Sequence, residues 1–334
     1  MKLAWPSFRA QPAFWLALGW LLLLATVALV APWLPLPYPA ATPDLLHVSE
    51  PPGWRTASPA HYLGTDPLGR DVLAGLVAGA RRLLLLSLPA VLLATGAGAL
   101  AGAAAGYWGN QHLRLPVAAA TGALGIAWWA LALPGEPMPS ILLSITLVLA
   151  FLARWPQPAA WLQQHSLAFP LDALVLGLAT LLGAVPRLVL LVALATGPAL
   201  THLQLLTLLA LLAWPGTARL VRGQMLQVRV QPFIAAAQAS GLPPARVWWR
   251  HALPHASRPL LAYAPLSLAG LIALESALAF IGIGQGPDVV SWGSLLATVR
   301  QDPAAWWVAV GPGLALLCTL LALQKIAKTT EKSR

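Results

Sequence analysis

His251 and His255 stand four residues apart, the spacing at which two imidazoles on one helix face can hold zinc. Pro254 lies between them and disrupts that shared face, and the other histidines (47, 61, 112, 165 and 202) are scattered, so no metal site is expected. A phosphate-cradling G-x-x-x-x-G-K-[ST] loop requires a Gly-Lys pair, and the chain contains none. His-Glu-x-x-His and Gly-x-Ser-x-Gly are absent as well, which excludes a zinc protease and a serine-nucleophile elbow. No catalytic residue and no bound cofactor are therefore expected. The single cysteine, Cys318, can close no intramolecular disulfide.

Two charges sit where charges are costly. Arg187 and Glu275 lie inside apolar runs, where each is unfavourable by about 2.5 to 3.5 kcal/mol unless it pairs or meets water. Both fall somewhat beyond the midpoint of their runs, which permits pairing with each other or a place along a polar pathway. Satisfaction of Glu275 by helix-end backbone is the competing reading. Asp172 lies at the edge of its run and can stay wet.

The elements carrying these charges are membrane helices. The 334 residues are 58% hydrophobic and only 9% charged, too few charges to cover a water-soluble fold. Runs of about 20 apolar residues, enough to cross about 30 Å of hydrocarbon, recur, and they are apolar on nearly every face, unlike the alternating strands of a β-barrel. They fall at 12–31, 83–106, 116–133, 139–153, 171–197, 199–214, 260–283 and 304–324, predicting eight spans. The first, behind Lys2 and Arg9, is long for a signal core and ends in Leu29-Val30-Ala31, so it reads as an uncleaved anchor. Proline-rich residues 32–79 form an extramembrane loop.

With the N-terminus in the cytoplasm, fourteen Lys and Arg residues fall inside and only five (Arg55, Arg70, Arg81, Arg82 and Arg300) outside. The net charge of +10 is then membrane topology, and no nucleic-acid partner is needed.

The longest polar segment on that inner side, 219–258, contains a run of small residues, Ala235-Ala236-Ala237, then Gly241 at a helix C-cap position and Leu242-Pro243-Pro244. Small side chains let such a helix sit closely in a groove of another protein. AAAQASGLPPARVWWRHALPHA resembles the cytoplasmic signature loop of ABC importer permeases: an EAA triplet, a glycine four residues after its last Ala, then His-x-Leu-Pro. Ala236, Ala237, Gly241, His251, Leu253 and Pro254 fall on that pattern; Ala235 stands where the triplet usually has Glu. HYLGTDPLGRD from His61 and AGYWGN at 105–110 resemble segments of peptide and nickel permeases, as do ESALAFIGIG from Glu275 and PDVVSWGSLLA from Pro287. The resemblance covers roughly 61–110 and 170–300 and is closest to the second-permease, OppC/DppC-like type.

The resemblance implies an all-α type I ABC importer permease with six core spans, plus an inserted helical hairpin at 111–169. Residues 1–31 would form the tail and first span, 32–80 an outer loop, and 81–334 the permease domain with the coupling loop at 219–258. It further implies a non-enzymatic inner-membrane subunit, both termini cytoplasmic, that moves di- or oligopeptides or a nickel complex. Its partners would be a second, homologous permease, two ATPase subunits that bind ATP and Mg, and an extracytoplasmic substrate-binding protein. An ATP-independent secondary transporter or channel is the alternative; it predicts an internal repeat, and none is visible.

Overall fold

The computed structural model describes residues 12–53, 61–110, 114–116, 166–184, 186, 189, 200–282, 286 and 289–332. Among them, five helices are long and apolar enough to cross a membrane. They are α1 (Pro12–Val30), α2 (Val72–Trp108), α4 (His202–Val228), α7 (Leu260–Ile281) and α9 (Trp306–Lys332). The shorter α3 (Leu171–Ala184) lies between α2 and α4 in sequence. α5 (Pro232–Ala239) and α6 (residues 244–256) link α4 to α7, and α8 (Trp292–Thr298) precedes α9. Strands β1 (Arg114–Pro116) and β2 (Ser166–Ala168) pair antiparallel and bracket most of the expected hairpin, whose two apolar runs lie outside the described residues.

Among the boundaries that differ from the sequence reading, two bear on the site. α2 begins at Val72, inside the expected loop, because Asp71 caps it: Oδ1 accepts the Ala74 amide at 2.7 Å. At about 1.5 Å per residue its 37 residues exceed the hydrocarbon thickness, so its first turns stand clear of it. α4 does not stop at 214 but runs to Val228, carrying Arg219 and Arg222 inside a helix. A hydropathy reading ends a span at such charges. Here Arg222 forms a two-pronged ion pair with Asp172 of α3, and Arg219 Nη2 donates to the Ala179 carbonyl at 2.6 Å.

The core is built on close backbone approach. Gly98, Gly102 and Gly106 recur every four residues along one face of α2. A methyl at Gly98 would meet the Trp214 carbonyl, one at Gly102 the Ala218 carbonyl, and one at Gly106 Met225 and the Arg222 carbonyl. The partners ascend with the glycines, so α2 and α4 run parallel. In a bilayer, where lipid is as apolar as leucine, such small-residue seams supply helix association through van der Waals contact. α1 runs antiparallel to α9, fixed by Trp20 Nε1 donating to Thr319 Oγ1 at 3.1 Å.

α2 contains a π turn at Leu83–Ser87 just before Pro89. Pro89 has no amide to offer the Leu85 carbonyl four residues back. That carbonyl instead accepts His202 Nε2 at 3.2 Å, from the first turn of α4.

The bundle therefore has two ends. Val72, His202, Ile281 and Trp306 lie at the end that carries the 34–71 loop, where Trp307 Nε1 donates to the Thr65 carbonyl at 3.0 Å. Trp108, Val228, Leu260 and Thr330 lie at the other, with α5 and α6.

Candidate functional site

At the α5–α6 end, α5 is anchored by one face. Ile234 and Ala237, three apart, are buried against Ala103 of α2, Val221 and Met225 of α4, and Val247 and Trp248 of α6. Ala235, Ala236, Gln238 and Ala239 are left exposed. The helix then ends at Ser240, whose amide bonds the Ala236 carbonyl at 3.0 Å, and Gly241 follows with φ +76°, the left-handed conformation glycine adopts without Cβ strain. No atom lies within 4 Å of where a Gly241 Cβ would stand. Pro243 is extended and exposed, Leu242 half-buried, and Pro244 opens α6 at a first-turn position where its missing amide is harmless. The outcome is a ridge of small side chains, stiffened by prolines and held from beneath.

The His-x-Leu-Pro stretch does something sequence reasoning did not foresee. Pro254 does not interrupt α6: a π turn at Trp248–Ala252, closed by the Leu253 amide on the Trp248 carbonyl, widens the helix just before the proline ring. His255 Nδ1 donates to the His251 carbonyl at 2.8 Å, so that ring nitrogen is taken up by backbone. His251 and Leu253 are half-buried and Pro254 is exposed.

Two contacts tie this ridge to the span helices. Trp248 stacks on Trp108 at the end of α2, ring centroids 5.1 Å apart, and Arg229 Nη1 donates to the Gly106 carbonyl at 3.1 Å. α5 and α6 are thereby held against the ends of α2 and α4. The tryptophans and the glycine seam were not singled out from sequence; the four-residue glycine spacing was the available signal.

Within the bundle, Glu275 of α7 is buried and accepts Arg82 Nε of α2 at 2.8 Å. Arg187, the expected partner, lies outside the described residues. Nearby, α8 wedges between α2 and α7. Trp292 Nε1 donates to the Leu76 carbonyl at 3.0 Å, and its indole fills the space a Gly79 side chain would need. Arg82, which the sequence places on the outer side, is instead the partner of Glu275.

The segment from His61 to Asp71 forms a compact node at the opposite end. Asp66 Oδ1 accepts the Leu68 and Arg70 amides at 2.9 and 2.8 Å, and Thr65 Oγ1 donates to the His47 carbonyl at 2.6 Å. Burial pushes the Asp66 carboxyl above the ordinary carboxylate range. The hydrogen bond between His47 and Asp44 acts in the other direction, lowering the Asp44 carboxyl and raising the His47 imidazole.

Residues 158–328 match the family of the binding-protein-dependent transport system inner membrane component, a stretch that includes α3, α4, the α5–α6 ridge, α7, α8 and most of α9. The chain belongs to this family. Residues 1–52 match the N-terminal transmembrane domain of oligopeptide transport permease C. The chain is 28% identical to the di/tripeptide transport system permease protein of Pseudomonas aeruginosa over 327 residues, covering 97% of this chain and 88% of the relative. It is 29% identical to a peptide permease protein of Brucella suis, covering 87% and 76%. A peptide transport system permease protein of Brucella melitensis is 28% identical over 94% and 84%.

As such an inner membrane component, the chain is a multi-pass, non-catalytic permease subunit of an ABC transporter with the type I importer fold. Ala235, Ala236, Ala237, Gly241 and Leu242 to Pro244 all lie on or beside the α5 ridge, with His251 and Pro254 on the helix behind it.

Proposed function

We propose that this chain is the second permease of a peptide importer, and that the α5–Gly241–α6 ridge is where cytoplasmic ATPase subunits dock. The observation that carries this reading is the division of α5 into a buried face, Ile234 and Ala237, and an exposed face of Ala235, Ala236 and Ala239. Such a helix presents backbone to a groove at little steric or entropic cost, while Trp248 and Arg229 relay displacement into α2 and α4. With Ala235 in place of the usual Glu, the docking contact relies on shape more than on charge.

Cargo is di- or oligopeptide; the names of the relatives support peptides over a nickel complex. A binding protein delivers it at the loop end, and a second, homologous permease completes the pathway. Both termini are cytoplasmic, as the basic residues near the α5–α6 end support. Glu275, paired with Arg82, lines or braces that pathway.

Copurification tests the reading. Tagged wild-type chain extracted in mild detergent should bring down ATPase subunits and a second permease. Ala236→Arg and Gly241→Pro should lose the ATPase subunits while keeping the second permease. Wild type that captures no ATPase subunit would overturn the proposal.

A further inference from the structure

The loop end of the bundle gathers two histidines that are fourteen residues apart in sequence, His47 and His61, around the carboxylate of Asp44. One ligand atom from each residue lies within 4.8 Å of the others. His47 Nδ1 is 2.9 Å from Asp44 Oδ2, and His61 Nε2 is 3.6 Å from the same oxygen. Tetrahedral zinc with bonds of about 2.0 to 2.1 Å separates its ligand atoms by about 3.3 to 3.4 Å. The two Asp44 spacings bracket that value, and the two histidine ligand atoms lie within 4.8 Å of one another.

His61 supplies the decisive detail. Its side chain is 2% exposed, and Nδ1 meets Asp71 Oδ2 at 2.8 Å. A carboxylate can only accept, so Nδ1 carries the hydrogen, and the ring turns its second nitrogen, Nε2, toward Asp44. That Nε2 is buried with no hydrogen-bond partner and faces Asp44 Oδ2 at 3.6 Å. A buried nitrogen facing a carboxylate oxygen calls for a positive charge between them; a proton on Nε2 is one way to supply it, and a metal ion that also takes His47 is the other. Asp71 then plays the part that carboxylates play behind metal-bound histidines, fixing the tautomer and strengthening the ligand.

We propose that Asp44, His47 and His61 form a binding site for one divalent cation of the zinc class, with Asp71 as its supporting carboxylate. Nitrogen and carboxylate donors in a three-ligand set favour zinc over the harder calcium and magnesium ions, which take oxygen cages. His47 and Asp44 are part-exposed, which leaves an entry path and a fourth coordination position for water. Because Asp71 also caps α2, the ion would staple residues 44–47 to the start of the helix that carries Arg82 and the glycine seam. At His251 and His255, the one spacing in the sequence that suggested metal, His255 Nδ1 is taken by the His251 carbonyl; the fold gathers a different set.

The test uses the full chain purified with its partner subunits, stripped with chelator and titrated with zinc sulfate against a chromophoric chelator. Wild type should bind one zinc per chain and gain thermal stability with zinc. His47→Gln, at a part-exposed position, should weaken binding at least tenfold and lose the zinc-dependent stabilisation. Asp44→Asn should do the same, and His202→Gln, at a histidine outside the cluster, should bind as wild type does. Substoichiometric zinc in wild type, or wild-type affinity in His47→Gln, would overturn the proposal.

Discussion

Arg82 and Glu275, 193 residues apart in sequence, meet at 2.8 Å between α2 and α7 with both side chains largely shielded. Neither charge belongs in hydrocarbon alone, and each removes the reason for the other's cost. Glu275→Gln or Arg82→Gln alone should lower the thermal stability of the purified assembly, by about 3 to 5 kcal/mol if the surviving charge stays buried. The double variant should recover much of that loss. Strictly additive losses would show that the two residues act independently.

The seam between α2 and α4 gives a contrast within one helix. A side chain at Gly102 would collide with the Ala218 backbone, which cannot move as a flexible side chain could, whereas nothing lies within 4 Å of a Cβ at Gly96. Gly102→Val should therefore abolish accumulation of folded protein in membranes. Gly96→Ala should be neutral or stabilising by up to about 1 kcal/mol, since glycine costs about that much in a helix interior. Fluorescence-detected size exclusion of fusion proteins would report both.

These examples also mark what the sequence could reveal. The α5 ridge was legible because its turn requires a glycine at a fixed distance from small residues, a local constraint. The anchor α1, α7 and α9 were legible because lipid demands long apolar runs. The lower half of α4 was not, since Arg219, Arg222 and Arg229 look like the end of a span when their partners, the Ala179 carbonyl, Asp172 and the Gly106 carbonyl, are unknown. The Arg82 pairing and the gathering of His47 with His61 were hidden for the same reason: each depends on which helix and loop become neighbours.

Asp66 predicts a pH effect of unusual sign. Its carboxyl is raised by burial, so the folded loop binds a proton more readily than the unfolded chain does between the ordinary aspartate value and the raised one. Stability from this group therefore increases as pH falls through that window and is lost as pH rises out of it. Asp66→Asn keeps an oxygen for the Leu68 and Arg70 amides and should flatten this component. Melting temperatures of wild type and variant should converge on acidification, with the variant equal or higher at neutral pH. A variant that melts lower at neutral pH would mean that the charge itself is needed.

Sidedness can be fixed by labelling. Leu46 is exposed in the loop beside Asp44, and Val230 is exposed between α4 and α5 at the other end. Cys318, half-buried in α9, must first be replaced, because a second thiol would blur the readout. In a Cys318→Ala background, Leu46→Cys should react with a membrane-impermeant maleimide on intact spheroplasts, and Val230→Cys only after permeabilisation. The five described spans connect these ends in a fixed sense: α1 and α7 leave the α5–α6 end, and α2, α4 and α9 return to it. One reversed result would consequently invert the whole bundle. It would also place the α5 ridge on the side of the membrane where no ATPase subunit could reach it, which makes this the least expensive experiment able to sink the coupling assignment.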